Sequence, residues 1–153
     1  PARPPRPRLT PAELGLILVL AAVQFTHIVD FVIIMPLGDR LMTELELTPS
    51  QFAWVISAYG ISAAVAGVLA AAVMDRFDRK AVILTMYAGF AASTLYCGLA
   101  ESYSALLVAR SLAGMFGGLS AAAIMAIIGD VFPPAKRATA TGAVMSAFAV
   151  ASI

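Results

Sequence analysis

Apolar residues come in long blocks along this chain, and charged residues fall between the blocks. The first block opens after Thr10-Pro11-Ala12-Glu13. A threonine N-cap, a proline at the first helical position and a glutamate at the third form a capping box. The spacing predicts a helix over 12–37. Its length of about 39 Å spans a bilayer with some tilt, and it runs past the short core of a signal peptide. A polar loop with Asp39, Arg40, Glu44 and Glu46 follows. Thr48-Pro49-Ser50-Gln51 then repeats the capping signal and predicts a second helix over 51–74. Beyond the charged turn Asp75-Arg76-Phe77-Asp78-Arg79-Lys80, a third helix is predicted over 81–100 and a fourth over 105–128. Pro133 and Pro134 end the fourth. A fifth apolar run begins at 138 and reaches Ile153, about 24 Å and short of a crossing. The chain starts without methionine and stops inside this run, so further helices of the same protein are expected beyond it.

Composition sharpens the pattern. Hydrophobic residues make up 61% of the 153 and charged residues 12%, with a mean hydropathy of +0.91. Soluble domains are about 45–50% apolar and about 25% charged. The chain therefore reads as an all-α, multi-pass transmembrane bundle, with the lipid bilayer as its first partner. Residues 1–10 are rich in proline and arginine and form a basic tail. Arg3, Arg6, Arg8, Arg76, Arg79, Lys80, Lys136 and Arg137 all fall on one side, while the opposite loops carry Arg40 against four acids. The basic side, and with it the N-terminus, is expected in the cytoplasm, which places the protein in the cell (inner) membrane. Trp54, Tyr96 and Tyr103 lie near the opposite helix ends, as an interfacial aromatic belt does. A net charge of +1 gives no signal of nucleic-acid binding. One cysteine, Cys97, supports neither a disulfide framework nor a metal site, and no cofactor motif is present.

Polar groups inside the apolar runs are the candidates for chemistry, because an intramembrane charge is costly without a partner or a task. The first run holds Gln24, His27 and Asp30 within a helical sector of about 120°. The fourth holds Arg110. Asp30 and Arg110 fall at similar depth, roughly 10 and 8 Å from the same membrane face. An Asp30–Arg110 pair across a shared cavity is expected. A guanidinium keeps its proton in any protein, so Asp30 is the member that can take and release one. A structural ion pair, or an Arg110 that reaches to the interface, is the plainer alternative. His27 is a second candidate for proton traffic, and Gln24 for substrate contact or interhelical bonding. Gly114 and Gly118, four residues apart, suit close helix packing.

The turn Asp75-Arg76-Phe77-Asp78-Arg79-Lys80, preceded by Ala71, resembles the signature Gly-x-x-x-Asp-Arg-x-Gly-Arg-Arg/Lys of the major facilitator superfamily. Arg110-x-x-x-Gly114 resembles a second motif of its proton-coupled members. Asp30 ahead of Met35-Pro36-Leu37-Gly38 is similar to the drug:proton antiporter branch. Ala71 and Asp78 replace two glycines of the signature; aspartate at the second is expected to tolerate a positive φ at a helix end. The resemblance implies a twelve-helix fold in two halves, of which 11–153 would be part of the N-terminal six-helix half. The first and fourth helices would be repeat equivalents lining the central cavity. It further implies a gating cluster in which Asp75 caps a helix of the other half and Arg79 links to Asp130, with Arg76 and Lys80 beside them.

The function implied is secondary active transport by alternating access: proton-coupled efflux of small organic molecules or drugs. A sugar or metabolite transporter of the same fold is the alternative, followed by a small four-helix membrane protein acting as a dimer. An intramembrane enzyme ranks lowest, for the chain has no paired histidines, no Gly-x-Ser-x-Gly and no facing carboxylates.

Overall fold

The computed structural model describes residues 9–73 and 78–151. The arginines of the tail, and Asp75 and Arg76 of the charged turn, lie outside them. The described residues form six helices: α1 Pro11–Ile33, α2 Gly38–Glu44, α3 Pro49–Val73, α4 Arg79–Gly98, α5 Tyr103–Val131 and α6 Pro134–Ala151.

Local chemistry accounts for where they begin. At α1, Glu13 N–H donates to Thr10 Oγ1 at 3.3 Å and Thr10 N–H donates to Glu13 Oε2 at 2.7 Å. At α3, Gln51 N–H donates to Thr48 Oγ1 and Thr48 N–H donates to Gln51 Oε1. Both are reciprocal capping boxes, each satisfying two helix-end donors. Ser102 caps α5 through the N–H of Ala105. Asp78 differs from the sequence expectation. Its φ is −62°, not positive, and its carboxylate accepts from Ala81 N–H at 3.0 Å. It is the N-cap of α4, the position where a short acidic side chain is favoured most.

The first helix also ends earlier than its apolar run. α1 stops at Ile33, not at 37: Pro36 has no N–H to continue the helical ladder, and a proline disfavours the helical region for the residue before it. The polar loop that follows contains the short helix α2. A left-handed Glu46 (φ 50°) closes it, and Leu47 N–H donates back to Met42 O in a Schellman arrangement.

α5 is the axis of the bundle. α3 and α4 pack along it, and α1 packs along α6. Ile17 and Leu20 of α1, Ile124 and Ile128 of α5, Phe132 just beyond it and Val144 of α6 form one apolar cluster that joins the two groups. α1, α3, α4 and α5 are long and apolar enough to cross a membrane. Their outward faces keep large apolar side chains uncovered: Val68 is 75% exposed and Leu95 66%. Aliphatic surface on this scale is costly against water and favourable against lipid.

α5 meets α3 at Gly114 and Gly118. A Cβ on Gly114 would overlap the carbonyl oxygen of Tyr59, and one on Gly118 the carbonyl oxygen of Ala63. Removing both side chains lets the two backbones touch.

Candidate functional site

Four helices each send one residue to a common depth. Asp30 lies three residues before the end of α1, Thr94 four before the end of α4, and Arg110 seven after the start of α5. Tyr59 comes from α3, whose start faces the same end of the bundle. Arg110 Nη1 donates to Asp30 Oδ2 at 3.0 Å and to the Asp30 backbone carbonyl at 3.1 Å. Both side chains are buried, 3% and 8% exposed. The guanidinium carbon stands 4.6 Å from the centre of the Tyr59 ring, a cation–π contact in a desolvated setting. Arg110 therefore does not reach out to the interface. Its Nε and Nη2 are buried, with no hydrogen-bond partner among the described residues. Asp30 Oδ1 accepts from Thr94 Oγ1 at 3.0 Å.

The sequence stripe Gln24-His27-Asp30 divides between two cavities. Asp30 opens onto a groove of about 610 Å³ between α1 and α4, lined by Phe25, Tyr87, Phe90 and Thr94 among others. Gln24 and His27 line a smaller cavity of about 210 Å³ bounded by α1, α3, α5 and α6, with Phe31, Tyr59, Gly117 and Phe148. Among the described residues, neither ring nitrogen of His27 has a hydrogen-bond partner, nor does Gln24 Oε1. The His27 ring sits edge-on to Phe90, 4.2 Å between centroids. Among the described residues, no neighbouring helix bonds to the His27 ring; Tyr59 instead donates, at 3.5 Å, to the His27 backbone carbonyl. The unsatisfied acceptors and donors of the smaller cavity are free to meet a ligand or water.

A second group of charges gathers at the opposite end of the bundle. Arg79 Nε donates to Asp130 Oδ2 at 2.9 Å and ties the start of α4 to the end of α5. Lys80 is exposed beside it. Lys136 Nζ donates to both oxygens of Glu13, at 2.9 and 2.8 Å, and ties the start of α6 to the start of α1. Arg137 donates to the carbonyls of Phe132 and Gly129 and so caps the end of α5.

Thr94, Tyr59 and the Glu13–Lys136 pair were missed by sequence reasoning. A lone hydroxyl in an apolar helix is too common to single out. The signal available was depth, since Thr94 lies as near to its helix end as Asp30 does.

The family model described as Major Facilitator Superfamily matches residues 20–153. The chain is 28% identical over 138 residues to the tetracenomycin C resistance and export protein of Streptomyces glaucescens, covering 90% of this chain and 24% of that protein. It is 30% identical over 129 residues to a puromycin resistance protein of Streptomyces alboniger, covering 84% and 25% respectively. The chain thus spans about a quarter of these curated relatives. A bacterial homologue of the human lysosomal transporter Spinster, solved inward-facing and unoccupied, superposes with a TM-score of 0.84 at 23% identity. That match covers 94% of this chain and 30% of the solved one and bears on the fold alone.

Proposed function

Because the chain belongs to the major facilitator superfamily, a family of multi-pass membrane transporters, we propose that it forms part of a proton-driven exporter of small organic molecules. The observation that carries this reading is the buried Asp30–Arg110 pair linking α1 to α5. A fixed cation beside a titratable carboxylate gives two states. With Asp30 charged, the pair is closed and holds α1 against α5. A proton on Asp30 removes the attraction and frees the two helices to separate. Coupling follows if the two states expose opposite sides of the membrane. Support for export comes from the two antibiotic-resistance relatives: one is named a resistance and export protein, the other a resistance protein.

In this proposal Gln24 and His27 offer hydrogen bonds to substrate in the smaller cavity, with His27 the second candidate for proton traffic. Arg79 and Asp130, with Asp75, Arg76 and Lys80, form the latch at the cytoplasmic end. The N-terminus is cytoplasmic. A carrier of sugars or other polar metabolites is the second reading, favoured by the unsatisfied polar wall of that cavity.

The test uses inside-out vesicles carrying the whole protein. An acid interior should drive accumulation of a fluorescent lipophilic cation, and Asp30→Asn should abolish that drive. Accumulation that ignores the pH gradient would refute proton coupling. Competition by a sugar or amino acid, with none by the dye, would favour the second reading.

A further inference from the structure

The two oxygens of Asp30 have different neighbours. Oδ2 faces Arg110, a group with donors only. Oδ1 faces the hydroxyl of Thr94, which can donate or accept. A proton arriving at Asp30 has no acceptor to point at on the Arg110 side. On Oδ1 it has one, provided the Thr94 hydroxyl turns its own hydrogen elsewhere.

The helix offers that hydrogen a destination. Ser93 donates to Gly89 O at 2.7 Å, Ser62 to Ala58 O at 2.7 Å and Ser111 to Leu107 O at 2.8 Å, each one turn back along its own helix. The equivalent acceptor for Thr94 is the carbonyl of Phe90. In the structure the Thr94 hydrogen bond goes to Asp30 on α1.

We infer that Thr94 is a positioning residue of the proton site, whose hydroxyl donates to the charged Asp30 and reverses to accept from the protonated one while donating to Phe90 O. The inference rests on Asp30 being the proton carrier. No bond other than the carboxyl O–H is made: the proton adds to Oδ1, the Thr94 hydrogen rotates from Oδ1 to the Phe90 carbonyl, and the Arg110 contact loses its ionic partner. Thr94 thereby keeps α4 tied to α1 in both protonation states, while the α1–α5 contact alone changes strength. Both Thr94 and Asp30 border the 610 Å³ groove, which is the route by which a proton would reach them.

Other groups face Asp30 and must be separated from this effect. They are Arg110 from α5, Tyr59 from α3, and Cys97 and Tyr87 from α4; His27, one turn back on α1, lines the other cavity. Of these, histidine is the type that ordinarily titrates near neutral pH, so the test is run also in a His27→Gln background.

The experiment is an infrared pH titration of the carboxyl C=O band, on the protein in lipid nanodiscs. The Asp30 band is the one lost in Asp30→Asn. Thr94→Val should displace its midpoint by roughly one pH unit, the scale of one hydrogen bond to a charged group, and should raise its C=O frequency. Thr94→Ser should restore both. If Thr94→Val fails to fold, Thr94→Ala carries the same comparison. An Asp30 band with midpoint and frequency unmoved in Thr94→Val overturns the role of Thr94 and leaves the proton carrier standing. If no band depends on Asp30, and transport by Asp30→Asn keeps its pH dependence, the proton-carrier reading falls and this inference with it.

Discussion

Gly114 of α5 lies against the backbone carbonyl of Tyr59 with no room for a methyl group between them. The neighbour is main chain, so it cannot swing aside. Gly114→Ala should therefore destabilise the bundle by about 1–3 kcal/mol, the usual cost of overpacking. Gly118→Ala should behave alike against Ala63. Gly60→Ala is the control, since open space surrounds that position, and it should be neutral or slightly stabilising. Unfolding in mixed detergent micelles measures all three; equal midpoints for Gly114→Ala and Gly60→Ala would contradict the packing argument.

The Asp30–Arg110 pair should show strong coupling. Arg110→Ala leaves a buried carboxylate without its counter-charge, at a cost of about 3–5 kcal/mol. Adding Asp30→Asn removes that stranded charge and should recover most of the loss. A double-mutant cycle on detergent unfolding gives the coupling directly. Additive effects would mean that the two charges do not depend on each other.

Substrate binding should vary with pH in the wild-type protein and lose that variation in Asp30→Asn. Equilibrium binding of a transported dye, measured across pH in both, decides the point. The same pH profile in both proteins would move the coupling proton to His27, which lies one helical turn away and is buried without a hydrogen-bond partner on its ring.

Arg79 and Asp130 should matter for cycling rather than for stability. The pair is partly open to solvent, 28% and 55% exposed, and pairs of that kind contribute about 0–1 kcal/mol. Arg79→Gln and Asp130→Asn should each lower turnover while leaving dye affinity unchanged. A drop in affinity at unchanged turnover would remove the latch from the mechanism.

Topology is checked with reporters. One fused after Lys136 should be active only inside the cell, and one placed in the Glu44–Glu46 segment only outside. The reverse pattern would invert the orientation.

Helix starts were legible because they are local: Thr10 with Glu13, and Thr48 with Gln51, write their caps within four residues. The meeting of Asp30 with Arg110 followed from depth and sign alone, since opposite charges in an apolar medium have few other places to go. Other features escaped because they depend on neighbours. Pro36 acts on the residue before it, so an unbroken apolar run concealed the end of α1 at Ile33. Asp78 stands where the family signature has a glycine, yet its backbone serves as the N-cap of the helix that follows. Gln24, His27 and Asp30 share one helical sector, but α3, α4, α5 and α6 border α1 and divide its polar face between two cavities. Thr94 became visible only when α4 was seen to present it to Asp30.

Lys136 and Arg137 are consecutive, and they grip two different helices, α1 through Glu13 and α5 through its last carbonyls. That corner works as the pivot of a pair of tweezers. With α1 and α5 pinned there, they can part only by splaying, and the arms open widest far from the pin. Asp30 stands 17 residues along α1 from Glu13, an arm of about 26 Å. A splay of about five degrees then moves its carboxylate by roughly 2 Å, enough to break a 3.0 Å contact with Arg110. Placing the charge pair at the tips means that a small tilt at one membrane face reads out as an all-or-none event near the other.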